Sequence, residues 1–236
     1  MQFLWYFLIA LIPGIFWLWF YRRQDKKPEP IKLLAKVFIL GALITIPAIF
    51  IEQFFDNSFF VFFGERFSES VDFFIVTIST LFIVAPVEEY LKYFVVKKTI
   101  WLDKEFNQPV DGIIYGVAAA LGFATFENVL VMIGEGGEAI ILRFATATLM
   151  HAITTGIVGF YMGVQKFSNA HQKNYIAQGI IIAIILHFIY NVLALASTSL
   201  SLLLLGILLI IMFFMLRKGI KEMQINDKTE EINDAK

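Results

Sequence analysis

Seven blocks of apolar residues, each long enough to cross a lipid bilayer as an α-helix, constrain what this chain can fold into. A helix needs about 20 apolar residues to span the roughly 30 Å of membrane hydrocarbon. Strands of a membrane β-barrel would instead alternate in hydrophobicity over about ten residues, and these blocks do not alternate. Hydrophobic residues are 58% of the chain and charged residues only 17%, against about 25% charged in soluble domains. We therefore predict an all-α, polytopic membrane helix bundle. The predicted spans are residues 3–20, 33–51, 72–96, 110–133, 139–164, 175–196 and 200–216.

The distribution of basic residues predicts how the bundle is oriented. Sixteen of the nineteen lysines and arginines lie after the first, third and fifth spans and in the C-terminal tail. Because short cytoplasmic loops carry the excess of basic residues, the N-terminus is predicted outside and the C-terminus in the cytoplasm. We expect a multi-pass protein of the plasma (inner) membrane, with one bundle over residues 1–218 and a polar cytoplasmic tail over 219–236. For residues 53–71 the sequence does not distinguish between a loop, an interfacial helix and a re-entrant segment.

Composition excludes several classes of function. The formal net charge is −1, so no general attraction to nucleic acid is expected. The apolar spans are expected to contact membrane lipid. The chain has no cysteine, which excludes disulfides, cysteine nucleophiles and thiolate metal sites.

Two adjacent carboxylates, Glu88 and Glu89, lie inside the third predicted span. A charged side chain near the bilayer centre costs about 2.5–3.5 kcal/mol, so such groups face a protein interior or a water-filled cavity and mark functional sites. Lys92 follows at helical spacing and can reach either carboxylate. Pro86 cannot donate to the carbonyl of Phe82, which opens the helix one turn before the pair. A structural ion pair with one interfacial glutamate is the alternative interpretation.

Polar side chains also interrupt the next three spans. The fourth span carries Glu127 and Asn128, the fifth Arg143, His151 and Thr155, and the sixth His187 and Asn191. At about 1.5 Å of rise per residue, the span-four glutamate and both histidines fall with Glu88 in the middle third of about 30 Å of hydrocarbon. We therefore predict one shared polar site. Arg143 either snorkels to the headgroups or supports that site, and Asp111 is expected to be a solvated cap.

This set of side chains is sufficient to hydrolyse an amide by direct attack of water. A carboxylate beside a neutral histidine can act as a general base on water. Imidazole and Asn side chains can donate hydrogen bonds to a developing oxyanion. The same Glu and His side chains can instead hold Zn²⁺, which lowers the pKa of a bound water. The residues leave the metal-free and metal-bound versions open.

The order and spacing of these polar blocks resemble the PrsW-type intramembrane proteases, distant relatives of the CAAX-processing and bacteriocin-processing membrane proteases. The resemblance covers about residues 80–192. The matching motifs are Glu88-Glu89-x-x-Lys92 after Ala85-Pro86-Val87, Asp111-Gly112-x-x-Tyr115-Gly116, Gly122-Phe123-Ala124-Thr125-Phe126-Glu127-Asn128, Arg143 with His151, and His187-Phe188-x-Tyr190-Asn191. It implies a helical bundle with its site among the helices. It also implies an intramembrane endopeptidase that cleaves a membrane-anchored, single-pass anti-sigma factor in a stress response.

The resemblance also implies roles for individual residues. Glu88, Glu89, His151 and His187 are carried over as catalytic candidates, and Asn191 stands where the family often has Asp. We expect one glutamate to activate water, His187 and Asn191 to stabilise the oxyanion, and His151 with Glu127 to position water or metal. The candidate Zn²⁺ ligands are Glu88, Glu127, His151 and His187. The supporting residues are Lys92, Glu127, Asn128, Arg143 and Thr155.

Two other functions stay open at this point. A non-catalytic membrane scaffold, related to the anterior pharynx-defective component of gamma-secretase, would use the same polar groups to hold helices or a partner. A proton-coupled transporter would use carboxylates and histidines as a relay, but transporters of that kind often have two related halves, and no internal repeat is seen here.

Overall fold

Seven helices that are long and apolar enough to cross a membrane lie within the described part of the chain, which confirms the predicted fold class. The computed structural model describes residues 2–63, 72–135, 142–143, 146–168 and 174–234. The helices are α1 (Gln2–Arg22), α2 (Ile31–Phe63), α3 (Asp72–Ser79), α4 (Ala85–Ile100), α5 (Pro109–Glu135), α6 (Ala147–Phe167), α7 (Tyr175–Ala196) and α8 (Ser199–Asp234). A π-helical turn, Thr80–Val84, joins α3 and α4 into one membrane span.

The helix bounds differ from the sequence prediction at the end of α2 and at the end of the C-terminal helix. Residues 53–63 continue α2 as helix, and residues 64–71, the rest of the predicted outer segment, lie outside the described residues. The fifth span is described as helix over Ala147–Phe167, and residues 139–141 and 144–145 of the predicted span lie outside the described residues. Arg143 before it turns toward the bundle interior and donates hydrogen bonds there.

Helices α5 and α6 form the centre of the bundle. Within the described residues, 72% of an 18-residue apolar stretch of α5 and 83% of such a stretch of α6 are buried, against 22–28% of the equivalent stretches in the other five spans. A Cβ added at Gly112 would run into the backbone carbonyl of Gly159, and one at Gly159 would run into that of Gly112. Small residues therefore let the two backbones touch, which is a common way to pack helices in membranes.

The third span changes its winding just before the glutamate pair. Pro86 has no N–H to offer the preceding turn, and the π-helical turn ends at Val84, two residues earlier. Single π turns are frequent at functional sites because they re-aim the side chains that follow. This turn precedes the Glu88–Glu89 pair, whose side chains face the bundle interior.

The C-terminal helix continues beyond the membrane span. α8 runs without a break through Gly219 to Asp234. Ile220 and Met223 are buried against the core, and Gln224 donates a hydrogen bond of 2.7 Å to the backbone carbonyl of Gln24. The first two turns after residue 218 therefore pack against the bundle.

Candidate active site

Four helices bring their intramembrane ionisable groups to one place. Glu88 on α4, Glu127 on α5, His151 on α6 and His187 on α7 line a cavity of about 230 Å³. Glu88 and both histidines are buried. The shared polar site predicted from helix depth is therefore present as a geometric feature.

Lys92 supplies a buried positive charge to this cluster. Its Nζ atom lies 2.7 Å from Oε1 of Glu89 and 3.3 Å from Oε2 of Glu88. It also lies 3.0 Å from Nδ1 of His151. Because an ammonium only donates hydrogen bonds, Nδ1 of His151 carries a lone pair and its proton sits on Nε2.

Each histidine is held by a carboxylate on the nitrogen that faces away from Glu88. Nε2 of His151 lies 2.8 Å from Oε2 of Glu127, and Nδ1 of His187 lies 2.9 Å from Oε1 of Glu89. The other nitrogens face Oε2 of Glu88, at 3.7 Å for Nδ1 of His151 and 3.9 Å for Nε2 of His187. Since a carboxylate accepts each outer N–H, each imidazole in its neutral form presents a lone pair on its inward nitrogen to the same space as Glu88.

The two adjacent glutamates have different surroundings. Glu89 is completely buried, and besides Lys92 and His187 it accepts hydrogen bonds of 3.0 Å from the hydroxyls of Thr154 and Thr155. Glu88 lines the cavity, and its Oε1 accepts no hydrogen bond from the described residues. The structure therefore separates a fully bonded carboxylate from one with an oxygen available to a ligand, which the sequence alone did not.

Arg143 joins the site rather than snorkelling to the headgroups. Its Nη2 donates to Oε1 of Glu127 at 2.6 Å, and its Nε donates to Oδ1 of Asn128 at 2.8 Å. Asn128 in turn donates to the hydroxyl of Thr148 at 3.0 Å. The Glu127 carboxylate raises the pKa of Arg143 above its usual range. This chain of contacts holds Glu127 against His151.

The remaining predicted residue, Asn191, lines the cavity on α7. Tyr190 beside it donates a hydrogen bond of 3.0 Å to the hydroxyl of Thr146. Thr45 and Glu52 of α2 also line the cavity, and no motif pointed to them. The only available signal for Glu52 was one more acidic residue close to the outer end of an apolar span.

Glu88, His151 and His187 form a set that could hold a metal ion. Each offers one ligand atom, and these atoms lie within 4.8 Å of one another. Two imidazoles and one carboxylate are a common donor set for catalytic zinc, and carboxylates on the outer nitrogens of ligating histidines are the usual second layer of such sites. Glu127, also a predicted ligand, is not one of the three, because its two oxygens contact Arg143 and His151.

Comparison with known proteins agrees with this geometry. A sequence model described as "PrsW family intramembrane metalloprotease" matches residues 29–217. This chain belongs to the PrsW family of intramembrane metalloproteases. The predicted family, the predicted enzyme class and the multi-pass membrane location are thereby confirmed.

Bacterial relatives cover most of this chain. The "Protease PrsW" of Oceanobacillus iheyensis is 31% identical over 195 residues, which are 83% of this chain and 85% of that protein. The "Protease PrsW" of Geobacillus kaustophilus is 31% identical over 80% of this chain and 79% of its own. That of Bacillus subtilis is 29% identical over 92% and 95%, respectively. No solved structure matches this chain.

Proposed function

We propose that this PrsW-family protein cleaves a single-pass membrane protein of the anti-sigma-factor type. In this proposal, Glu88 activates a water molecule that attacks the carbonyl of the scissile peptide bond. The observation that carries the proposal is the arrangement around Glu88. Two histidines turn unprotonated nitrogens toward its carboxylate, and Glu127 and Glu89 hold their outer nitrogens at 2.8 and 2.9 Å. A packing network would not need two imidazole lone pairs directed into one buried cavity.

The donor set favours the metal-bound version. A neutral His187 that donates Nδ1–H to Glu89 has no proton on Nε2, so it cannot donate to an oxyanion there. We therefore replace the expected oxyanion role of His187 by a ligand role, with Glu88 and His151 as the other two ligands. Zn²⁺ fits this set and would supply Lewis-acid activation of water and of the scissile carbonyl.

The protein groups around the ligands have distinct tasks in this proposal. Oε1 of Glu88, which receives no hydrogen bond from the described residues, would accept the proton of the attacking water and pass it to the amine that leaves when the C–N bond breaks. Glu89 and Glu127 orient the two imidazoles. The carboxamide of Asn191, which lines the same cavity, donates to the developing oxyanion.

Lys92 contacts the nitrogen of His151 that would bind a metal, so the position of its ammonium depends on metal binding. Its ammonium lies 3.0 Å from Nδ1 of His151, the nitrogen that would bind the metal. A metal held by Nδ1 of His151 would require the Lys92 ammonium to turn away from that nitrogen, while the 2.7 Å contact of Lys92 with Glu89 could persist. This exchange keeps the two glutamates neutralised whether or not the metal is present.

The test is cleavage of a tagged single-span substrate by the purified protein in proteoliposomes. Glu88→Gln should abolish cleavage while the protein still inserts and folds, and a zinc chelator should do the same until Zn²⁺ is restored. Glu105→Gln is the matched control, because Glu105 lies in a connection outside the cavity and contacts Lys104 at 3.7 Å. Full activity of Glu88→Gln would contradict the proposal.

The substrate class needs a separate measurement. Candidate membrane-anchored anti-sigma factors and unrelated single-span proteins of the same orientation should be co-expressed with the protein, and fragments should be detected by immunoblotting. We expect cleavage of an anti-sigma factor and release of its sigma factor. Cleavage of the unrelated proteins alone would contradict the assigned substrate while leaving the protease chemistry intact.

A further inference from the structure

A second cluster of buried carboxylates lies at the opposite end of α5 from the active site. Asp25 and Glu29 lie in the connection between α1 and α2, and Asp111 lies in the first turn of α5. All three are buried, with Asp111 only 1% exposed. Asp111 precedes Glu127 by sixteen residues on α5, roughly 24 Å along the helix axis. The solvated cap expected for Asp111 is therefore wrong, because the α1–α2 connection covers it.

One oxygen of Asp111 has no partner in this buried position. Its Oδ2 accepts backbone hydrogen bonds from Asn107 at 2.9 Å and from Gln108 at 2.7 Å. Its Oδ1 is buried and has no hydrogen-bond partner among the described residues. Buried acceptors are normally satisfied, so this oxygen requires either a proton shared with the neighbouring Glu29 carboxyl or a bound cation.

Two of the three carboxylates, those of Glu29 and Asp111, lack a positively charged partner among the described residues, since neither forms an ion pair with a lysine or arginine. Arg22 is close, but its Nε donates 3.0 Å to the backbone carbonyl of Glu29 instead of the carboxylate. The hydroxyl of Tyr115 donates to Oε2 of Glu29, which brings no charge. Burial raises the pKa of Glu29 above its usual range.

The distances between the three carboxylates suit a single cation. One oxygen of each residue lies within 4.8 Å of an oxygen of the other two. Three oxygens that are spread evenly around one Ca²⁺ ion at 2.3–2.6 Å lie about 4.0–4.5 Å from one another, so these carboxylates can close on such an ion with little movement. A slight inward turn of the side chains would give the shorter contacts of Mg²⁺.

We propose that Asp25, Glu29 and Asp111 bind a hard divalent cation, Mg²⁺ in the cell, at the cytoplasmic end of the bundle. The donor set contains only oxygen, which favours Mg²⁺, Ca²⁺ or Mn²⁺ over Zn²⁺. Three carboxylates leave room for waters, and Mg²⁺ usually keeps several waters while binding few carboxylates. The α1–α2 connection lies on the side that the basic residues predict to be cytoplasmic.

The cation would join parts of the chain that are distant in sequence. Asp25 and Glu29 connect α1 to α2, whereas Asp111 begins the central helix α5. Binding there therefore clamps the α1–α2 connection onto α5, and it stabilises the folded bundle because only the folded state brings the three carboxylates together.

The test is a titration of the purified full-length protein with Mn²⁺, followed by electron paramagnetic resonance. We expect a saturable Mn²⁺ site that Mg²⁺ displaces and that lacks ¹⁴N coupling, since no histidine contributes. Glu29→Gln and Asp111→Asn should each weaken this binding by about tenfold or more, because affinity follows the number of charged ligands. The same two variants should lose the rise in melting temperature that Mg²⁺ gives the unmodified protein.

Two controls separate a charge effect from a folding effect. Asp103→Asn replaces an aspartate that also accepts a backbone hydrogen bond in the α4–α5 connection, from Glu105 at 3.0 Å. Tyr115→Phe removes the hydroxyl on Glu29 but keeps all three carboxylates. Both should bind Mn²⁺ as the unmodified protein does.

Three results would overturn the proposal. The first is the absence of saturable, oxygen-coordinated Mn²⁺. The second is Mn²⁺ binding that shows ¹⁴N coupling and disappears in His187→Ala. The third is unchanged binding in folded Glu29→Gln and Asp111→Asn. In each case the carboxylates would share protons instead of a cation, and the protease proposal would be unaffected.

Discussion

Replacing Gly159 by alanine tests whether the contact between α5 and α6 sets the geometry of the active site. A Cβ at Gly159 would run into the carbonyl of Gly112 and approach the Cα of Ile113. Both obstacles are backbone atoms, so no side-chain rotation relieves the clash. Since carbon atoms pack at about 3.5–4.0 Å, we expect the two helices to separate locally by about 1 Å.

The expected magnitudes follow from this displacement. Overpacking costs about 1–3 kcal/mol, and alanine recovers about 1 kcal/mol of helix propensity. The free energy of unfolding should therefore fall by up to about 2 kcal/mol. His151 lies two turns before Gly159 on α6 and contacts Glu127 on α5, so the separation reaches the active site. A misplacement of about 1 Å can lower the rate about 100-fold, and we expect kcat to fall by that order.

Gly206→Ala on α8 provides the matched control, because nothing lies within 4 Å of a Cβ built there. It should keep full activity and gain slightly in stability through helix propensity. Unfolding is followed by circular dichroism in detergent, and activity by cleavage of a single-span substrate in proteoliposomes. If Gly159→Ala matches Gly206→Ala in both measurements, the α5–α6 contact does not control the site and the reasoning is refuted.

Three further substitutions test the layers around the catalytic residues. Glu127→Gln removes the carboxylate behind the α6 imidazole, and zinc affinity measured by chelator competition should fall about 10–100-fold. Thr155→Val deletes a hydroxyl that donates 3.0 Å to Glu89 and should cost about 1.5–3 kcal/mol in unfolding experiments. Thr125→Val, which loses only a bond to its own helix, should cost clearly less, and equal costs would contradict the role given to Glu89. Lys92→Met leaves the buried carboxylates unpaired and should cost about 3–5 kcal/mol without metal. Zn²⁺ should raise its melting temperature more than that of the unmodified protein, and an equal rise would count against the exchange between ammonium and metal.

The membrane fold and the location of the site were predictable because both depend on local sequence. Apolar blocks of spanning length specify membrane helices wherever they occur. The cost of burying charge limits where Glu88, Glu127 and the two histidines can point. Depth along each helix, counted from the sequence, placed these groups at one level, and the structure brings them within a few ångströms.

The different surroundings of neighbouring residues could not be predicted from the sequence, because they depend on contacts between helices. Glu88 and Glu89 are equivalent in sequence. In the structure, Thr154 and Thr155 of another helix donate hydrogen bonds to Glu89, whereas Glu88 lines the cavity. The sequence allowed Arg143 either to snorkel to the headgroups or to support the site, and the structure places it 2.6 Å from Glu127.

The amino-acid sequence by itself therefore determined seven membrane helices, their predicted orientation and the set of side chains able to activate water, since hydrophobic length and buried charge act within single segments. Only the tertiary structure decided which nitrogen of each histidine faces Glu88, which glutamate lines the cavity with one oxygen unbonded, and that Asp111 meets Asp25 and Glu29. These features arise because side chains that are distant in sequence approach one another only in the packed bundle, where close contacts such as that between Gly112 and Gly159 bring the helices together.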